Sequence, residues 1–311
     1  MKRARLIYNP TSGREQVKRQ LPYILGKLEQ AGYETSTHAT CPDEGDATRA
    51  ARLAVEREFD LVIAAGGDGT IYEVINGMAE QPRRPKFGII PAGTTNDFAR
   101  ALGVPRTIEK AVEVLCAGIE IPVDIGRVND KYFVNIAGGG KLTELTYQVP
   151  SQMKTMIGQL AYYLKGMEML PSIRPTNVKI EYDDKVFEGE IMLFLVANTN
   201  SIGGFEKLAP LSEFNDGYFD LVILKKANLA EFIRIATLAL KGDHIRDSHI
   251  IYEKARHIKI HTDEKMQLNL DGEFGGLLPG EFLNLRHHFQ MLVPRERFEN
   301  IPQLEEHDEL D

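Results

Sequence analysis

The chain has 311 residues, 43% of them apolar, and a formal net charge of -8. That length can bury one large core or two moderate ones, with two domains the expected division, and the ordinary composition excludes a disordered or fibrous protein. The negative balance argues against a general nucleic-acid binder.

No apolar run approaches the roughly 20 residues that a membrane-spanning helix needs, and the longest, 191–197, is strand-sized. The opening MKRARLIYNP lacks the apolar core and small-residue cleavage site of a signal peptide. Cys41 and Cys116 stand far apart without metal-ligand spacing. A reduced cytosolic protein, at most peripheral to a membrane, is expected.

Residues 4–8 read as a first strand that runs into Asn9-Pro10-Thr11-Ser12-Gly13, turn chemistry that brings two hydroxyls and a glycine ahead of a helix carrying Val17, Leu21, Ile24, Leu25 and Leu28. A second strand is expected over 33–37, then a loop through Thr40 and a helix over 47–58. Leu61, Val62, Ile63, Ala64 and Ala65 form an unbroken apolar run, the pattern of a strand buried on both faces of a parallel sheet.

That run stops in Gly66-Gly67-Asp68-Gly69-Thr70, and apolar positions resume at helical spacing through Val74, Ile75 and Met78. Glycines let backbone amides approach a large ligand, and the following helix start adds unpaired donors with a partial positive charge, which suits phosphate. Taken alone, the same turn also suits a plain strand-to-helix connection capped by Asp68. A fourth strand over 87–90 ends in Pro91-Ala92-Gly93-Thr94-Thr95-Asn96-Asp97-Phe98-Ala99-Arg100, where Asn96 or Asp97 can open a helix. Alternating strands and helices predict a doubly wound parallel sheet that binds ligands at its carboxyl edge. Three strand ends there carry glycine with Ser, Thr or Asp, which describes a nucleotide pocket.

The motifs at 9–13, 66–70 and 91–100, in this order, resemble the diacylglycerol kinase catalytic domain superfamily, and most nearly its soluble bacterial members. The resemblance covers nearly the whole chain. It implies ATP contacts at Asn9, Pro10, Thr11, Ser12, Gly13, Thr40, Gly66, Gly67, Asp68, Gly69, Thr70, Ile71, Tyr72 and Thr94.

After a helix over 108–116 the pattern changes to short strands with turn signals, over 122–126, 132–137, 178–182, 190–198, 218–224, 258–260, 266–270, 282–285 and 289–293. The expected fold is therefore α/β: an N-terminal Rossmann-like nucleotide domain over 1–122, and a C-terminal antiparallel β-sandwich over 123–295, to which the resemblance assigns the lipid substrate. The acidic tail from 296 to 311 is expected to pack back on the first domain. Helical stretches over 152–170 and 229–240 interrupt the strands. Lys154, Lys165, Lys225, Lys226, Arg234 and Lys241 form either a solvated face or a lipid-facing one.

Asp124 lies among apolar residues at the domain seam, an odd place for a carboxylate without a partner. Glu273 follows the hairpin signal Asp271-Gly272. The resemblance makes Glu273 the general base and Asp68 and Asp124 the other catalytic acids. It also makes Asp216 a magnesium ligand together with backbone carbonyls near Glu213 and Tyr218. It implies an ATP- and magnesium-dependent diacylglycerol kinase forming phosphatidic acid at the inner face of the cell membrane, with homodimers among the relatives. A kinase of another lipid alcohol, or an NAD kinase sharing Gly-Gly-Asp-Gly-Thr, is the alternative.

Overall fold

A computed structural model describes residues 1–140, 174–200 and 207–298 of the chain. The first half opens with β1 (Lys2–Tyr8), α1 (Gln16–Gln30), β2 (Tyr33–Ala39), α2 (Asp46–Glu56), β3 (Leu61–Gly66), α3 (Asp68–Met78) and β4 (Lys86–Pro91). Strands β1 to β4 are parallel in the order β2-β1-β3-β4. β3 is buried at every position because it runs between β1 and β4 under packed helices, which explains its unbroken apolar run. The short α4 (Asp97–Ala101) and α5 (Ile108–Ala117) complete this half. The order reverses beside β1, so a ligand crevice is expected at the carboxyl ends of β1 and β3.

The second half is antiparallel: β5 (Ile119–Val128), β6 (Lys131–Phe133), β7 (Ile136–Gly139), β8 (Thr176–Tyr182), β9 (Lys185–Ala197), β10 (Phe219–Lys225), α6 (Leu229–Ala239), β11 (Ile250–Ala255), β12 (His257–His261), β13 (Gln267–Leu270), β14 (Glu273–Leu277), β15 (Gly280–Val293) and α7 (Arg295–Phe298). Its strands enclose a second core around Phe133, Phe194, Phe219, Phe282, Leu268 and Leu270. The first core gathers Leu6, Ile63, Phe87 and Phe98 with Val123, Phe289 and Met291.

The two cores share one strand. Phe282 of β15 belongs to the second, while Phe289 and Met291 belong to the first, where Met291 pairs in parallel with Phe87 of β4. The strands expected over 282–285 and 289–293 are thus one continuous strand, bulged between Leu285 and Phe289 where it pairs with β5. The opposite correction applies to 132–137, which divides into β6 and β7. Here the amides of Val134, Asn135 and Ile136 donate to the Asp271 carboxylate rather than to a neighbouring strand. β11 and β14 carry no strong period-2 signal and are additions by the structure. The helix expected over 152–170, with Lys154 and Lys165, and the tail over 299–311 lie outside the described residues.

Candidate active site

The carboxyl ends of β1, β3 and β4 meet through close glycine contacts. A Cβ on Gly93 would lie 2.6 Å from Gly67 Cα, and one on Gly13 would lie 3.0 Å from the Ala92 carbonyl oxygen. The first contact needs glycine at 93, whereas a Cβ on Gly67 would lie 3.4 Å from Gly93 Cα, an ordinary contact, so the motifs close into one surface where Gly93 lacks a side chain. In the first turn, Asn9 Oδ1 accepts from the Thr11 amide at 3.0 Å and the Thr11 hydroxyl at 2.9 Å. Gly13, Arg14 and Glu15 then run consecutively at positive φ, an uncommon backbone for the last two. The Thr40 amide donates to the Tyr8 carbonyl, which brings the end of β2 to the same edge. Pro10, Ser12 and Thr94 lie on the connections leaving β1 and β4, with Thr94 exposed. Within α3, Gly69 and Thr70 form the first turn, Ile71 is buried in the first core, and Tyr72 packs against the second.

Asp68 opens α3 and ties two motifs together. Its Oδ2 accepts the Asn96 amide at 2.9 Å and its Oδ1 accepts the Asp97 amide at 2.8 Å, which satisfies two orphan donors at the start of α4. The Asn96 side chain closes the loop on itself, accepting from the Gly93 amide and donating to the Gly93 carbonyl. Burial pushes the Asp68 carboxyl above the usual range, and the neighbouring Asp97 carboxylate pushes the same way. The two amides oppose them.

Glu273 arrives from the other half of the chain. The β13–β14 turn holds Asp271 and Gly272 at positive φ, as a two-residue hairpin connection requires. Glu273 follows, and a Cβ on Gly69 would lie 3.2 Å from its Oε1, so the carboxylate stands over the first turn of α3. What aims the turn is Asp271, whose carboxylate accepts the amides of Val134 at 2.7 Å, Asn135 at 2.8 Å and Ile136 at 2.9 Å. Burial raises its carboxyl to about 7 against the pull of those amides. From sequence Asp271 reads only as a turn residue and Asp97 only as a helix start. A carboxylate directly after the buried Leu268-Asn269-Leu270 strand was the available signal that it needs donors.

Asp124 is fully buried in β5, facing the β15 bulge. Its Oδ1 accepts the His287 amide, where φ is +51°, and its Oδ2 accepts the Gly217 amide, both at 2.7 Å. Burial raises its carboxyl while these amides lower it. Asp124 therefore joins the domain seam to the 213–218 loop. In that loop Asp216 accepts the Tyr218 amide at 2.9 Å and pairs through its other oxygen with the Lys254 ammonium. Among the described residues no group of three or more His, Cys, Asp or Glu side chains is placed to hold a metal. A carboxylate with backbone carbonyls is a hard-oxygen donor type of the kind magnesium takes, but both oxygens of Asp216 are engaged here, by the Tyr218 amide and the Lys254 ammonium. Among the other basic residues singled out by sequence, Lys226 pairs with Glu190 at 2.8 Å and Arg234 pairs with Asp247.

Residues 3–128 match the diacylglycerol kinase catalytic domain, and residues 144–294 match the YegS C-terminal NAD kinase beta sandwich-like domain. The chain is 68% identical to a diacylglycerol kinase of Bacillus subtilis over 303 residues, which is 97% of this chain and 99% of that protein. It is 54% identical to a diacylglycerol kinase of Staphylococcus carnosus over 295 residues, covering 95% and 96%. A crystal structure of a diacylglycerol kinase from Bacillus anthracis superposes with a TM-score of 0.81 at 31% identity, covering 95% of this chain and 98% of that one. An edge built from three glycine-rich strand ends, faced by a glutamate from an antiparallel half, thus comes with family matches along nearly the whole sequence: the chain belongs to the diacylglycerol kinase family and is a lipid kinase.

Proposed function

We propose that this chain transfers the γ-phosphoryl group of ATP to the primary hydroxyl of diacylglycerol, with magnesium, forming phosphatidic acid. One observation carries the reading: Glu273, from the antiparallel half, stands over Gly69 at the start of α3. A base and a phosphate cradle from different halves of the chain then face one another across the seam.

Phosphoryl transfer asks mainly for positioning and charge neutralisation. The backbone amides of Gly66, Gly67 and Gly69, with the turn through Asn9, Pro10, Thr11, Ser12 and Gly13 and with Thr40, Thr70 and Thr94, would hold ATP at residues 1–122. Residues 123–295 would present the lipid. Glu273 would accept the hydroxyl proton, a role that fits a carboxylate at the open edge of the site. Asp68 would act through the two amides it binds, keeping the 91–97 loop against the glycine turn. Asp124 would hold the 213–218 loop and the β15 bulge in place. Asp216, with the carbonyls of Glu213 and Tyr218, would bind magnesium in place of the Lys254 ammonium, neutralising that loop. The working protein would be a homodimer in the cytoplasm, associated with the inner face of the membrane.

The experiment is phosphate transfer from labelled ATP with magnesium to diacylglycerol, a sphingoid base, phosphatidylglycerol and NAD side by side. Label in phosphatidic acid alone is the expected result. Label in another lipid would change the substrate, and label in NADP would overturn the lipid reading of the second half.

A further inference from the structure

We propose that one face of the antiparallel sheet is the surface that docks on an anionic lipid bilayer, with two apolar anchors at opposite ends of it. This rests on the lipid substrate proposed above.

The first anchor is on β14. Phe274 and Leu277 are three residues apart, so in a regular strand they would point to opposite faces. The ladder to β13 shifts by one residue here: Phe274 pairs with Asn269, while Leu277 pairs with Gln267 and Gly276 with Leu268. Gly275 takes up the extra residue, and no larger residue fits there, since a Cβ would meet Leu270 Cγ at 2.4 Å. Directly opposed residues share a face, so Phe274 and Leu277 both point away from the buried Leu268 and Leu270. They are 51% and 45% exposed on a strand that is at the sheet edge among the described residues, where charged residues are the usual protection. Lys131 stands beside them, its Nζ 5.6 Å from the Phe274 ring centroid.

The second anchor is α6. Its inner residues Phe232 and Ile235 pack with Leu193 and Leu224. Leu229, Ile233, Ala236 and Leu240 follow at spacings of four, three and four and form a second apolar stripe. In this stripe Leu229 is 46%, Ile233 43% and Leu240 53% exposed. A surface helix whose outer stripe is apolar needs an occupant.

The strand register puts both anchors on the same face. Phe274 opposes Asn269, Asn269 opposes Gly138, Gly138 opposes Leu195, and Leu195 opposes Val222, two residues from the Leu224 that α6 covers. At about 4.8 Å per strand, β10 and β14 are roughly 19 Å apart, the span of a few lipid headgroups. Glu273 is on β14 itself, so the acid and one anchor share a strand at the sheet edge.

Charge selects the occupant. Residues 225–247 carry Lys225, Lys226, Arg234, Lys241 and Arg246 against Glu231, Asp243 and Asp247, five cations against three anions, a local +2 in a chain of net -8. Lys226 and Arg234 have carboxylate partners but stay 61% and 53% exposed. Apolar stripes bordered by cations match an anionic bilayer better than a second copy of this acidic chain.

The test compares wild-type protein with Phe274→Ser/Leu277→Ser and with Leu229→Ser/Ile233→Ser/Leu240→Ser, each first shown to keep its melting temperature. Sedimentation with phosphatidylglycerol vesicles containing dioleoylglycerol reads docking directly. Each variant is expected to lose at least tenfold in partitioning. The α6 variant should also lose activity on vesicle substrate while keeping its rate on water-soluble dihexanoylglycerol within twofold. Unchanged partitioning in either variant would overturn the proposal, as would a change in oligomer mass by light scattering at unchanged partitioning. If the wild-type protein phosphorylates no diacylglycerol, the functional reading fails, and vesicle sedimentation still decides the docking face independently.

Discussion

Substituting Asp68→Asn distinguishes a carboxylate that clamps two loops from one that acts on the nucleotide or metal. In the structure both oxygens accept backbone amides, from Asn96 and Asp97. An amide side chain has only one acceptor, so its NH2 group would confront one of those N–H groups. Losing one charge-assisted hydrogen bond removes about 1.5–3 kcal/mol, and leaving a buried donor unsatisfied costs about 1–3 kcal/mol more. Part of this is returned, because burial and the Asp97 carboxylate already disfavour the charged form of Asp68. The net loss is about 2 kcal/mol, which for a cooperative unit of this size lowers Tm by roughly 4–8 °C. Thermal melts with and without ATP, beside steady-state kinetics, read the outcome. The clamp predicts a clear drop in Tm together with weakened ATP binding. A Tm within about 1 °C of wild type with turnover abolished would refute the clamp and put Asp68 on the ATP or its metal.

Glu273→Gln should leave Tm and ATP binding unchanged and reduce kcat by about 10²–10⁴-fold, and retained turnover would dismiss it as the base. Asp216→Ala should abolish any rise in Tm on adding magnesium, read by melts at increasing metal with no substrate present; an unchanged magnesium response would move the metal elsewhere. The Asp271 carboxyl is raised from its usual range to about 7, so the folded state holds that proton more tightly than the unfolded chain. Its stabilising contribution is complete below about pH 4, where both states are protonated. It is lost progressively as pH climbs through 7. Asp271→Asn should flatten that decline in urea melts between pH 4 and 8, and an identical pH slope in the two proteins would contradict the raised carboxyl.

Much of the fold was legible because its signals are local. The unbroken run over 61–65 has the pattern of a strand covered on both faces, and the glycine turns at 9–13, 66–70 and 91–100 fall at strand ends. The hairpin at Asp271-Gly272 was equally plain, since positive φ at both positions is written in the residue types. Sequence alone thus determined most of the order of elements and the glycine turns at the strand ends, while β11, β14 and the joining of 282–293 into one strand came from the structure. Sequence left open what each carboxylate does, because a hydrogen-bond partner far along the chain leaves no periodic trace. Asp68 reaches residues 28 and 29 positions away, Asp124 reaches the β15 bulge 163 positions away, and Asp271 reaches amides about 136 positions away. Only the tertiary structure decided that these acids are occupied by backbone amides, that β15 runs through both cores, and that Glu273 stands over Gly69. The physical reason is that a buried carboxylate must find donors, and which donors lie within 3 Å is set by packing between elements rather than by its neighbours in the chain.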